Sequence, residues 1–276
     1  MKGDYNWEKE DHGYLNSLPA LSMDTQAWQT FSRPAEIDIS WHRTENQGSI
    51  GSCQGHSLSS VLERLAHVNK EDVQLSEIFA YLATQKIDGL LGRDSGSTIA
   101  GGCQLAVNTG CCPEKLTGYP LYYPSRSQIS QILSSSNYEA AAKYKAKSAW
   151  QVPQDHDKTL DFLAGGGAIN FGIRWYFSLI PATRVVRSYN PGWTSGGHAM
   201  CILGYDKDGN LRAANSHADG PYLITPGAWK QMLQDRYTAA IGLMGNQKAE
   251  PINWYTNSPY NQIRMPEGNN HDSDTK

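Results

Sequence analysis

Apolar positions recur at helical spacing in the first half of the chain and at strand spacing in the second. From Cys53 to Ala66, residues Leu58, Val61, Leu62 and Leu65 fall on one face of a helix. Leu75, Ile78, Phe79 and Leu82 predict a second helix over 75–85. A third is predicted over 98–108. Gly110 ends it, because glycine accepts the left-handed backbone that closes many helices. Ile37-Asp38-Ile39-Ser40-Trp41 alternates apolar and polar and predicts a short strand. Residues 113–136, rich in Pro, Tyr and Ser, read as a long surface loop. Residues 137–150 have the Ala/Lys composition of an exposed helix, and a short helix is predicted over 158–164.

After Gly165-Gly166-Gly167 the period changes. Segments 168–176, 199–205, 211–215, 221–225 and 237–244 all read as strands. Asp208-Gly209 is a tight turn between two of them. The order predicts an α+β fold, helical from about 37 to 150 and β-rich from about 151 to 245. Residues 1–36, with Trp28, Phe31 and Pro34, are expected to form a leader that wraps one lobe and partly blocks the cleft. Residues 246–276 are expected to be an extended tail and a candidate docking segment for a protein partner.

The 276 residues suffice for one domain or two closely packed lobes. A net charge of −3 gives no global attraction to nucleic acid or to an anionic membrane, and neither is expected as a partner. No apolar run approaches the roughly 18 residues a membrane span needs. The first ten residues lack the apolar core of a secretory signal, so a cytoplasmic or virion- and assembly-associated protein is expected. Five cysteines, an odd number without paired C-x-x-C units, argue against a disulfide framework and against structural zinc. Cys111-Cys112 is expected to be a pair of packed or exposed thiols without a redox or metal role. No cofactor and no metal are expected. Gly165-Gly166-Gly167 is not a phosphate loop, since no Lys-Ser/Thr follows it.

The candidate chemistry lies in three runs. The first is Asn46-Gln47-Gly48-Ser49-Ile50-Gly51-Ser52-Cys53-Gln54-Gly55-His56. A lone free cysteine is most often inert and buried. Here the cysteine opens a helix, whose unpaired N–H groups and positive dipole end favour a thiolate. Glycines around it leave room for a substrate backbone. Gln47 can donate to an oxyanion together with the Cys53 backbone N–H. The second run, Gly196-Gly197-His198, places a histidine at the head of an apolar strand. His198 is preferred over His12, His42, His56, His67, His156, His217 and His271 because glycines clear space before it and a buried strand holds it. It would take the thiol proton and return it to the leaving group. The third run, Ala213-Ala214-Asn215-Ser216-His217, offers Asn215 to orient the far ring nitrogen.

Order and spacing resemble the papain-like cysteine peptidases. The family signature places His and Asn about 130–150 residues after the cysteine. Here the separations are 198 − 53 = 145 and 215 − 53 = 162. The similarity spans about residues 37–244, including Leu75-Ser76-Glu77-Ile78-Phe79-Ala80-Tyr81, Gly96-Ser97-Thr98-Ile99-Ala100-Gly101-Gly102 and Asn215-Ser216. The resemblance implies a two-lobed fold, with a helical lobe, a β-barrel-like lobe and the cleft between them. It implies peptide-bond hydrolysis through an acyl-thioester on Cys53, with His198, Asn215 and Gln47 in the site. It also makes Ser95, Gly96, Gly197 and His217 the substrate-binding candidates, with a peptide or protein as substrate.

Four departures stand out. Ile50 occupies the place of a family cysteine, removing that disulfide and bringing the chain nearer to bacterial and phage-type members than to lysosomal cathepsins. Gln54 replaces the aromatic after the nucleophile. His217 replaces the tryptophan that shields the His–Asn hydrogen bond. The leader is shorter than the family's inhibitory prodomain. Two competing readings stay open: a catalytically silent binding protein of this fold, and a Cys-His acyltransferase or transglutaminase.

Overall fold

The computed structural model describes residues 5–20, 33–176, 179, 181–192 and 196–245. Trp28, Phe31 and the tail 246–276 therefore lie outside the described residues. The α-helices are α1 His12–Ser17, α2 Cys53–Val68, α3 Glu77–Ile87, α4 Ile99–Asn108, α5 Arg126–Ile132, α6 Ser135–Ala141, α7 His156–Ala164 and α8 Pro226–Gln234. The strands are β1 Ser148–Gln151, β2 Ala168–Trp175, β3 Val185–Val186, β4 Gly196–Tyr205, β5 Leu211–Ala214, β6 Tyr222–Ile224 and β7 Ala239–Met244.

Helix α2 organises the molecule. It is buried from Cys53 to Ala66 and packs on α3 to one side and on β4 and β2 to the other. A side chain at Gly55 would place its Cβ 2.5 Å from the Glu77 carbonyl, so glycine lets the two helices approach. Ser76 and Thr98 cap α3 and α4, their hydroxyls accepting from Phe79 N–H and Gly101 N–H. Gly110, at φ +86°, closes α4 by donating to Leu105 O at 2.7 Å, as its position in the sequence predicts.

The strands form one mixed sheet in the order β1-β7-β2-β4-β5-β6-β3. Every described pairing is antiparallel except β3 with β6. β1 and β3 are the terminal strands and do not pair with each other, so the barrel-like expectation is corrected to an open seven-stranded sheet. The fold is α+β, with helices preceding strands as the periodicities predict.

Four local expectations differ. Residues 37–41 form no strand; Ile37 makes a single bridge to Tyr205. The proposed loop 113–136 contains α5, started by a reciprocal capping box between Ser125 and Gln128. The proposed helix 137–150 stops early. Lys147 N donates to Met244 O at 2.7 Å, and the chain enters β1 against β7. Pairing with β7 overrides a weak helical propensity there. Helix α8 was not expected, although Thr225 as cap and Pro226 at the first position announce it.

All five cysteines are buried and none forms a disulfide. Burial raises the thiol pKa of Cys103 and Cys112 to about 12 and that of Cys111 well above its ordinary value. Cys111 and Cys112 are thus packed thiols without nucleophilic character at neutral pH. Among the described residues no helix is long and apolar enough to cross a membrane.

Candidate active site

Cys53 is the first residue of α2, and its sulfur accepts from Ala199 N–H on β4 at 3.4 Å. The strand residue before Ala199 is His198. The thiol and the imidazole thus come from opposite sides of the packed α2–β4 contact. This is the consequence of burying the helix start against the sheet.

His198 Nε2 lies 2.7 Å from Asn215 Oδ1. The same oxygen accepts from Ser216 N–H at 2.9 Å, and Asn215 Nδ2 donates to Asp219 Oδ1 at 3.0 Å. The Asn215 oxygen therefore faces His198, Nε2 carries the hydrogen, and Nδ1 is left as the basic nitrogen. Burial pushes the His198 pKa down to about 3; His217 and His56 push the same way, and the Asn215 hydrogen bond opposes them.

Two rings flank this pair. His217 stacks on His198 with centroids 4.2 Å apart and planes 21° apart. Trp175 at the end of β2 meets His198 edge-on at 4.7 Å and His217 at 5.5 Å. The indole that the sequence lacks after Asn215 is thus supplied from another strand. Burial lowers the His217 pKa, while Asp219 counteracts.

Gln47 is 3% exposed and is held at both ends of its amide. Its Oε1 accepts from Ser216 Oγ at 2.6 Å, and its Nε2 donates to Ile50 O at 2.9 Å. Backbone bonds from Gln47 N to Ser216 O and from Ala218 N to Glu45 O, both 2.8 Å, zip its segment to the one carrying Asn215. The turn between Gln47 and Cys53 is pinned by Asp94. Its two oxygens accept from Gly51 N–H at 2.9 and 3.1 Å, and one also takes the Tyr81 hydroxyl at 2.8 Å. Tyr119 OH donates to Gln47 O at 3.0 Å. Gln54 fits beside Ser97, whose hydroxyl donates to its Oε1 at 3.1 Å.

The substrate-binding candidates are divided. Gly96 turns its backbone inward: its N–H donates to Tyr81 OH at 3.1 Å, and its carbonyl accepts from Gln85 Nε2 at 3.0 Å. Ser95 and Gly197 instead contact the N-terminal segment. Tyr5 N donates to Gly197 O at 3.1 Å, and Asn6 N to Ser97 O at 3.2 Å. Asn6 Nδ2 donates to Ser95 O at 3.0 Å. The Tyr5 ring fills the space that a side chain at Gly172 would take; a Cβ there would stand 2.6 Å from the ring. The Glu10 carboxylate accepts from Ile99 and Ala100 N–H, both at 2.8 Å, and anchors the segment on α4. Cys53 is 0% exposed and His198 2%.

Behind the first turn of α2, Arg43 pairs with Glu45 at 2.6 Å, with Glu114 at 2.6 Å and with Glu77. His56 Nδ1 lies 3.3 Å from Glu45. Ligand atoms of Glu45, His56 and Glu77 fall within 4.8 Å of one another, as do those of His42, Glu45 and Glu63. Arg43 is the resident cation among these carboxylates, and the residues fit a buried ion cluster better than a metal centre.

No protein-family model and no curated protein matches the chain. Solved structures do. The crystal structure of xylellain, a cysteine protease from Xylella fastidiosa, superposes with a TM-score of 0.69 at 24% identity, covering 83% of this chain and 91% of that one. The fold is that of the papain-like cysteine proteases. Procathepsin B S9 from Trypanosoma congolense matches at TM-score 0.59 and 16% identity, covering 83% and 82%. The cysteine protease and lectin-like domains of Cwp84, a surface-layer-associated protein of Clostridium difficile, match at 0.59 and 20%, covering 78% of this chain and 52% of that one. The expected papain-like architecture is therefore present.

Sequence reasoning did not single out Asp219, Trp175, Asp94, Tyr119 or the Tyr5–Asn6 strap. Only Trp175 carried a signal. It ends the strand that the period-2 pattern predicts, and that strand pairs with the one bearing His198.

Proposed function

We propose that the chain is a cysteine peptidase that hydrolyses peptide bonds through an acyl-thioester on Cys53. One observation carries the reading. His198 is oriented by Asn215 through Nε2, while the Cys53 sulfur sits against the next residue of the same strand at the start of a buried helix.

In this reading, the Cys53 proton passes to His198 Nδ1, and the thiolate attacks the substrate carbonyl carbon. Gln47 Nε2 and the Cys53 backbone N–H donate to the oxyanion. His198 returns the proton to the departing amine, leaving the acyl-thioester. A water then gives its proton to His198 and attacks the thioester. Collapse releases the acid and restores the thiol. Asn215 keeps the imidazole in the tautomer with Nδ1 basic. The catalytic unit is residues 37–245, and the strap around Tyr5 and Asn6 must leave the cleft before a peptide enters.

The test is turnover of an unfolded protein substrate by the wild type and by Cys53→Ala. Loss of hydrolysis in the variant is expected. Persistent hydrolysis would sink the reading. Preferential coupling of the acyl group to an added amine would replace it with acyl transfer. A Cys53 without enhanced alkylation at any pH would replace it with a silent binding protein.

A further inference from the structure

His217 stands where nothing in the proposed reaction needs a titratable group, yet it is the ring in closest parallel contact with the general base. Its plane lies 21° from that of His198, with centroids 4.2 Å apart. Its backbone is bridged to Asn46, the neighbour of Gln47, which ties the segment carrying the ring to the oxyanion side of the site. Trp175 closes the remaining edge of both rings. We infer that His217 is a positioning residue for His198, and that proton uptake by His217 dismantles the Cys53–His198 ion pair.

The inference rests on the proposed peptidase reading, because it needs that ion pair to exist. The proton count is simple. In the active state Cys53 is a thiolate, His198 carries two N–H hydrogens, and His217 is neutral. A neutral imidazole is a good flat neighbour for an imidazolium. One proton from solvent adds to His217 and creates two like charges on stacked rings. His198 then gives its Nδ1 proton to the Cys53 sulfur. The result is a thiol, a neutral His198 and a charged His217. The net change is one proton taken up and one nucleophile lost. An aromatic residue without a basic nitrogen at 217 would offer no such second destination.

The groups facing His217 set the balance. Asp219, on the same loop, favours the proton on His217. Its carboxylate is already shared with Asn215 Nδ2. His56 from α2 and burial oppose it. His198 from β4 opposes it whenever His198 itself is charged. Trp175 from β2 brings no charge. The two histidines therefore titrate as a pair, and only their combined behaviour is observable as an acid limb.

The experiment is the rate of Cys53 alkylation by iodoacetamide against pH. It uses the full chain as wild type, His217→Phe, His217→Gln and His198→Ala, with the modified peptide identified by mass. The acid limb of the wild type is expected about one pH unit above the limbs of both His217 variants, which should coincide. A packing role alone would lower the rate at every pH without moving the limb, and that result overturns the inference. If either variant fails to fold, the wild type still decides. The His217 ring titration, followed by NMR, must shift to higher pH once Cys53 is alkylated and His198 is left neutral; no shift overturns the inference. The two failures are separable. Ordinary alkylation identical in wild type and His198→Ala defeats the peptidase reading itself. Fast low-pH alkylation lost in His198→Ala but unmoved by the His217 variants defeats only the inference.

Discussion

The Nδ2 of Asn215 donates to Oδ1 of Asp219 at 3.0 Å. Together with the Ser216 N–H that donates to Asn215 Oδ1 at 2.9 Å, this bond sets which end of the Asn215 amide meets His198, and through it which nitrogen of His198 is basic. Asp219→Ala removes one of the two bonds that orient the amide and is expected to lower kcat about tenfold, the worth of one hydrogen bond of about 1.4 kcal/mol, with KM little changed. Asp219→Asn can present an oxygen at the same place and should recover most of the rate. Steady-state kinetics on a peptide substrate checks both.

Gln47 is expected to matter only when charge develops on the carbonyl oxygen. Gln47→Ala should cost about 10²–10³ in kcat and little in KM. Ser216→Ala removes the hydroxyl that holds the Gln47 oxygen and should cost less, because the amide nitrogen keeps its bond to Ile50. Equal losses from the two variants would mean that Gln47 acts through folding of the turn, and thermal unfolding of both would reveal that.

On the proposed peptidase reading, the strap is expected to mask Cys53. Tyr5 and Asn6 make three described hydrogen bonds to residues 95, 97 and 197, and Tyr5 is 2% exposed. Replacing both by glycine removes the ring and the Asn6 side-chain bond. Cys53 alkylation should then speed up about tenfold at neutral pH, as expected for loosening contacts worth on the order of 1–2 kcal/mol. An unchanged rate would show that the segment does not limit access.

Glu63 predicts a pH effect on stability that is separate from catalysis. Burial raises its pKa to about 8, although Leu75 N–H donates to it at 2.7 Å. The unfolded chain releases this proton near pH 4.3. A raised carboxyl stabilises fully below that value, and its contribution is lost as pH rises towards about 8. Glu63→Gln keeps the acceptor for Leu75 and carries no charge. It should unfold at a higher temperature than wild type at pH 8, by a stability on the order of 5 kcal/mol for a shift from about 4.3 to about 8, and match it at pH 4. Calorimetry at both pH values is the check.

The helical stretch from Cys53 to Ala66, the cap at Gly110 and the strands after residue 165 were legible because their apolar residues repeat with the period of the element. The segment 137–150 was not. Its alanines and lysines favour a helix weakly, and hydrogen bonds from a strand about 95 residues later decide its end, as in Lys147 N to Met244 O. The sheet's open edges were also hidden, since strand order is a property of pairing and not of any one strand.

The candidate site divides in the same way. The sequence by itself determined the residue types and their order: a cysteine opening a helix, a histidine heading a buried strand, and an asparagine ending the next one. Those follow from local patterns that need no partner. Tertiary structure alone decided that Trp175 shields the pair from another strand, that Asp219 sets the Asn215 amide, that His217 stacks on His198 and that Tyr5 lies across Gly172. Each is a contact between segments with no shared period. The energy that selects it comes from burying rings and satisfying polar groups once α2 is packed against β4.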